Sequence, residues 1–92
     1  MSELFEGKFL IVNELGLHAR AATKLVQLAS KFPCDVEIMR EDQSANAKSV
    51  MGVLLLCGSK GTTVSIRASG PEATACVTAI GELIAARFGE PR

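Results

Sequence analysis

The sequence predicts an α+β fold: an open-faced sandwich in which three helices cover one face of a four-stranded antiparallel sheet, in the order βαββαβα. Three observations lead there. Short stretches alternate apolar and polar residues with the period of two that a half-buried strand imposes. Two longer stretches repeat apolar residues at i, i+3, i+4 and i+7, the spacing of a helix with one buried stripe. The turn-forming segments between them are short, at residues 13–16, 32–35, 41–46, 57–62 and 69–72, and short links favour antiparallel strands with helices laid across the apolar face.

Taken in order, Phe9–Val12 is a brief apolar run of strand formers and is expected to be the first strand. The first helix follows, with Ala22, Leu25, Val26, Ala29 and Phe32 on one face and Lys24, Gln27 and Lys31 turned away; Pro33 forbids its continuation. Val36 and Ile38 flank Glu37 in a second strand, and a weak third strand is expected at Gln43–Asn46. Ser49 is a good N-cap and Gly58 a good stop for a short second helix between them. Val64, Ile66 and Ala68 alternate with Ser65, Arg67 and Ser69 in the last strand. Ala73, Cys76, Val77, Ile80, Leu83 and Ile84 then form the buried stripe of a terminal helix of about four to five turns, opened by Pro71 in its first turn and closed by Arg87 and Gly89.

Ninety-two residues suffice for one compact domain, residues 1–92, so any chemistry must lie on its surface or at a shallow edge. Trp and Tyr are absent, so the core must be aliphatic. Ten basic residues balance ten acidic ones, which removes the net positive charge that drives phosphate-backbone binding, and nucleic acid is not an expected partner. The first residues carry Glu3 and Glu6 and lead into only a four-residue apolar run. That fits neither a signal peptide nor a membrane span, so a cytoplasmic protein without membrane insertion is expected. Cys34, Cys57 and Cys76 are odd in number and widely spaced; they are read as reduced thiols serving as small apolar side chains, with no disulfide, metal site or cofactor.

The chemically informative stretch is Asn13-Glu-Leu-Gly-Leu-His-Ala-Arg-Ala-Ala, because the only histidine falls where the first strand gives way to the first helix. His18 is therefore placed at or just before the first helical position. A helix start offers unpaired N–H groups and the positive end of its dipole, and both stabilise an anion. Arg20 adds a guanidinium able to fork onto phosphate oxygens. This positive environment keeps the imidazole neutral, with a lone pair available for attack near neutral pH. Gly16 permits a tight turn, and Ala19, Ala21 and Ala22 are expected to leave the ring uncluttered. His18 and Arg20 alone leave two readings open, a nucleophile and an ordinary surface or capping histidine.

The wider pattern resembles the HPr family, the histidine-containing phosphocarriers of the bacterial sugar phosphotransferase system. Gly16-Leu-His-Ala-Arg is similar to that family's Gly-Leu/Ile-His-x-Arg-Pro-Ala motif, and Ala47-Lys-Ser-Val-Met-Gly-Val to its second motif. The resemblance runs from about Lys8 to Phe88, with the same order of elements. It implies that phosphoryl groups pass from phosphoenolpyruvate through enzyme I to Nδ1 of His18, giving the pros-phosphohistidine, and then to IIA-type acceptors, with Arg20 supporting the phosphate. One departure stands out. Ala21 occupies the place of the family's proline, which loosens the unfolded chain at a cost of about 0.4–1 kcal/mol and restores one backbone N–H at the helix entrance.

Ser49 is similar to the family's regulatory serine, target of an ATP-dependent HPr kinase/phosphorylase; it is also a helix cap worth about 1 kcal/mol. The docking face is expected around Ala19, Thr23, Val50 and Met51, and about half of the apolar side chains from Val50 to Leu55 are expected to be exposed there. No second acid–base group or metal-ligand set is visible beside His18, so the chain is expected to be a monomeric stoichiometric carrier rather than an enzyme. A different class of function stands as the alternative: a non-catalytic binding module that controls partner proteins through the phosphorylation state of Ser49. A metal chaperone lacks its C-x-x-C loop here, and an RNA binder its basic charge and stacking aromatics.

Overall fold

The computed structural model describes residues 3–92. Its elements are β1 (Glu3–Leu10), α1 (Ala19–Ala29), β2 (Asp35–Arg40), β3 (Gln43–Asn46), α2 (Val50–Leu55), β4 (Thr63–Gly70) and α3 (Ala73–Ala85), followed by a single tight turn over Arg87–Gly89. The four strands form one antiparallel sheet in the order β1-β4-β2-β3. Val64, Ile66 and Ala68 of β4 point to the covered face, and the register sets Ile38 of β2 opposite Ile66 and Val36 opposite Ala68. Leu25 and Ala29 of α1, Val53 of α2 and Val77, Ile80 and Ile84 of α3 close over them. Phe88 is the one aromatic side chain in this aliphatic core that is fully buried.

The βαββαβα order and the third strand at Gln43–Asn46 agree with expectation, while several boundaries move for physical reasons. β1 begins at Glu3 and ends at Leu10, rather than spanning Phe9–Val12. It is an edge strand whose side chains from Glu3 to Glu6 are all exposed, so no apolar stripe announces it. The backbone ladder to β4, from Glu3 opposite Gly70 to Leu10 opposite Thr63, holds it instead. α1 ends at Ala29, four residues before Pro33. A turn through Ser30 and Lys31 then brings Phe32 and Cys34 under Lys48, whose Nζ donates to their carbonyls at 2.8 and 2.7 Å.

Pro71 stands outside α3 rather than in its first turn. Gly70 and Glu72 on either side take positive φ (118° and 64°), and the helix opens at Ala73. Its thirteen residues are fewer than expected because Arg87 and Phe88 turn left-handed behind it. Leu83 is only partly buried, while Gly81 is buried because Phe9 lies on it. A Cβ there would stand 2.3 Å from the ring of Phe9.

Two of the three cysteines behave as apolar core residues and the third does not. Cys34 and Cys76 are buried; Cys57 is exposed, because it takes the left-handed position (φ 54°) just after the α2 C-cap, Leu56. That was the place expected of Gly58. Burial, and after it the neighbouring Cys34, pushes the Cys76 thiol up to about 12, which keeps it protonated.

Gly58 is needed for a different reason: a Cβ there would stand 2.8 Å from Leu17 Cδ1. The Gly58 carbonyl accepts the amide of Leu17 at 2.7 Å, and a Cβ on Gly16, whose φ is 65°, would meet the same oxygen at 2.4 Å. Gly61 also has a positive φ (89°) but faces open space. Gly16→Ala is therefore expected to lose the roughly 1–3 kcal/mol of a left-handed non-glycine residue and to suffer a backbone collision besides, whereas Gly61→Ala loses only the first. Urea unfolding of the two variants measures the gap, and equal losses would show that the close approach of these two loops is no constraint.

Candidate functional site

The site is assembled around the entrance to α1. Asn13, fully buried, donates through Nδ2 to the carbonyl of Gly16 at 2.8 Å, while the amide of Gly16 returns a bond to the carbonyl of Asn13 at 3.2 Å. This closes a tight loop. Leu17 buries its side chain, and His18 follows as the N-cap residue of α1, with extended backbone (φ −76°, ψ 177°) and a carbonyl that accepts the first helical bond from Ala22 at 2.8 Å. The imidazole does not cap the helix. Among the described residues, the amides of Ala19, Arg20 and Ala21 have no acceptor, as the first turn of a helix requires.

The His18 side chain is 28% exposed. Its Nε2 meets Oε2 of Glu90, and its Nδ1 makes no hydrogen bond among the described residues. The other oxygen of Glu90 accepts from Asn13 Nδ2 at 3.0 Å. These two bonds, that from His18 first and that from Asn13 second, hold the Glu90 carboxyl below its ordinary value. Glu90 is thus an ionised acceptor lying directly on the imidazole. The expectation that no second acid–base group accompanies His18 is corrected by this contact, and the ring's surroundings are not uniformly positive.

No spacing in the sequence links residues 18 and 90; the contact depends on how the chain returns after α3. Arg87, Phe88 and Gly89 all have left-handed φ, at 59°, 55° and 81°. The two non-glycine residues carry a strain of order 1–3 kcal/mol each, held in place by burial of the Phe88 ring and by Lys24 Nζ, which donates to the Phe88 carbonyl at 2.6 Å. Beyond Glu90, the amide of Glu14 donates to a main-chain oxygen of Arg92 at 3.1 Å. Residues 87–92 form a strap drawn back across the loop that carries the histidine.

Arg20 lies on the exposed side of the first turn of α1 and forms no ion pair among the described residues. Ala19 is exposed beside it, and Thr23 returns its hydroxyl to the Ala19 carbonyl at 2.8 Å. Ala21 and Ala22, expected to clear the approach to the ring, are fully buried and pack into the core instead. The position where the family motif carries proline is therefore an inward-facing one.

α2 packs beside α1, with Gly58 beyond its C-terminal end against Leu17 and Lys48 before its start tied to Phe32 and Cys34 at the far end of α1. Ser49 is the N-cap of α2, and its Oγ accepts from the amide of Gly52 at 3.1 Å. Val50 is half-buried, and Met51 and Leu55, one turn apart, are about 70% exposed. Val53 is fully buried, so the apolar residues of this helix divide between core and surface as expected. Leu15, in the loop before His18, is equally exposed and was missed by the sequence analysis, since a single leucine in a turn carries no periodicity. Among the described residues no group of His, Cys, Asp and Glu gathers to hold a metal, and no helix is long and apolar enough to cross a membrane.

A family model described as the PTS HPr component phosphorylation site matches residues 5–86. The chain belongs to the HPr family of phosphocarriers of the phosphotransferase system. It is similar to the phosphocarrier protein HPr of Cupriavidus necator, 46% identical over 87% of this chain and 90% of that one. It is also similar to the phosphocarrier protein NPr of Shewanella violacea, 44% identical over 92% and 93%. Among solved structures, HPr-C-His from Thermoanaerobacter tengcongensis superposes with a TM-score of 0.92 at 38% identity, covering 96% of this chain and 99% of that one. The family-model match itself ends at residue 86, before Glu90.

Two measurements probe the network. Asn13→Ala removes the donor shared by Gly16 and Glu90 and is expected to cost about 1–3 kcal/mol in urea unfolding. Glu90 has a folded pKa below its ordinary 4.5, so its contribution is complete above that value and is lost as pH falls through the lower folded one. The stability gap between the native chain and Glu90→Gln is thus expected to narrow on acidification, and a gap unchanged down to about pH 3 would contradict the depressed carboxyl.

Proposed function

We propose that this chain is a stoichiometric phosphoryl carrier of the cytoplasm, accepting a phosphoryl group from phospho-enzyme I on His18 and passing it to IIA-type acceptors. The observation that carries the reading is the imidazole at the N-cap of α1, partly open to solvent with Nδ1 unengaged, in a chain whose family is described by a phosphorylation site. In the forward step the Nδ1 lone pair attacks phosphorus. A P–N bond forms on His18 as the donor's P–N bond breaks, and the electron pair of the broken bond returns to the donor ring. Onward transfer reverses these roles. The amides of Ala19 and Arg20 and the Arg20 guanidinium supply donors for the phosphoryl oxygens.

The chain consumes nothing and releases nothing by itself, so both steps depend on a partner docking over the ring. Ala19, Thr23, Val50 and Met51 form the proposed docking face, extended by the exposed Leu15 and Leu55. Replacing His18 by Ala is expected to abolish acid-labile labelling from phosphoenolpyruvate and enzyme I; label that persists on the variant would reject the assignment.

Regulation through Ser49 is part of the same proposal. Its Oγ already caps α2, and a phosphate there keeps the favourable helix-start interaction while adding a charge of about −1.5 to −2 beside the apolar docking residues. Ser49→Asp is expected to slow transfer to His18 without loss of fold, as read by stopped-flow or quenched labelling beside a circular dichroism spectrum. Transfer at the native rate would remove Ser49 from the mechanism. A purely regulatory module would instead keep its partner's response intact when His18 is replaced.

A further inference from the structure

We propose that Glu90 is a positioning residue for phosphoryl transfer: its carboxylate holds the His18 ring with the proton on Nε2, so that Nδ1 is the attacking nitrogen, and it balances the positive charge the ring acquires on phosphorylation. This inference rests on the carrier reading and deepens it, since that reading by itself does not say what selects one ring nitrogen over the other.

The assignment follows from hydrogen-bond chemistry. An ionised carboxylate has acceptors and no donor, so the nitrogen that meets Glu90 Oε2 must carry the proton. In a neutral imidazole the other nitrogen then holds the lone pair. That other nitrogen is Nδ1, which has no partner among the described residues. Glu90 is itself oriented by Asn13, which grips its second oxygen and ties it to the Gly16 carbonyl of the histidine loop. The arrangement has the form of a histidine held in one tautomer by a carboxylate that is in turn held by a further donor.

The backbone supports the same conclusion independently. A chain ending α3 without constraint has no reason to place two successive non-glycine residues, Arg87 and Phe88, in the left-handed region. The buried Phe88 ring and the Lys24 bond to its carbonyl enforce that turn, and its outcome is to set the Glu90 carboxylate against the imidazole.

The proton inventory closes without an external acid or base. Before attack the ring is neutral, with Nε2–H bonded to Glu90. When Nδ1 forms its bond to phosphorus and the donor nitrogen departs with the electron pair, the ring becomes an Nδ1-phosphoimidazolium that retains its Nε2 proton. The carboxylate faces the new positive charge. On transfer to the next acceptor the P–N pair returns to Nδ1, and the original neutral tautomer is restored without a proton having left.

The test uses the full chain in three forms, native, Glu90→Gln and Glu90→Ala, beside His18→Ala. Nitrogen-15 spectra of the imidazole near neutral pH report the tautomer directly. The native ring is expected to show Nε2 protonated and Nδ1 bare, while both Glu90 variants, with backbone amide spectra that remain folded, show a mixture. Labelling from enzyme I is expected to slow by about tenfold or more in Glu90→Ala, the loss expected for a charge-assisted hydrogen bond that strengthens as the ring becomes charged. Native tautomer and native rate in the Glu90 variants, with His18→Ala unlabelled, would overturn the role of Glu90 and leave the carrier reading intact. Label retained by His18→Ala would overturn the carrier reading itself. A Glu90→Ala chain that lost its fold would leave Glu90→Gln, similar in size and without the charge, to decide by the same spectra and rates.

Discussion

The site depends on one close backbone contact, where the loop entering α1 crosses the loop leaving α2. The Leu17 amide reaches the Gly58 carbonyl at 2.7 Å, and no side chain fits between because Gly16 and Gly58 have none. Leu17 is locked on both sides, by that bond and by burial of its side chain against Gly58. The next residue is His18, which therefore cannot drift along the surface. The same crossing sets the start of α1, with the histidine and the unpaired amides, beside the C-terminal end of α2. Packing tolerances here are tenths of an ångström, because a carbonyl oxygen has nowhere to move.

The C-terminal strap supplies a second, independent anchor to the same loop. Asn13 joins the two anchors: one amide nitrogen satisfies both the Gly16 carbonyl of the crossing and the Glu90 carboxylate of the strap. Its own Oδ1 is buried without a partner, so the side chain is committed to donating at some cost. Such a group is retained when its orientation matters more than its full satisfaction. The histidine is thus held from its backbone by α1 and the Gly58 contact, and from its ring by Glu90. The ring face that remains unengaged is the one the proposed chemistry uses.

The part of this legible in the sequence was the local part. Period-two and period-3.6 patterns disclosed β2, β4, α1 and α3, because each has one buried face, and the glycine, alanine and arginine around His18 marked the helix entrance. Edge strand β1 was half hidden, since its side chains from Glu3 to Glu6 are all exposed and only Phe9 near its end packs against the core. Gly58 was recognised as special, but for the wrong reason: Cys57 takes the left-handed place after α2, and Gly58 gives way to Leu17. Lys48 read as part of a motif and proves to tie the end of α1 to the start of β2 through two carbonyls. Glu90 was invisible. Its partner lies 72 residues away, and what joins them is a pair of left-handed residues that no propensity favours at Arg87 and Phe88.

A relay places opposite demands on one group, which must hold phosphate strongly enough to take it from a donor and weakly enough to surrender it. A deep pocket with many donors would satisfy the first demand and defeat the second. The geometry at His18 lies between these limits: a ring partly open to solvent, a few unpaired amides and one exposed guanidinium that forms no ion pair elsewhere among the described residues. Ala19 and Arg20, the proposed donors, are both exposed, so the proposed contacts leave the phosphoryl group open to the next acceptor. The strong contact is on the opposite nitrogen. Glu90 acts on the ring rather than on the phosphate, and a charge placed there stabilises the loaded imidazolium without adding a bond that the next acceptor must break. Holding the ring firmly and the cargo loosely is how a shallow surface site on a small domain can meet both demands.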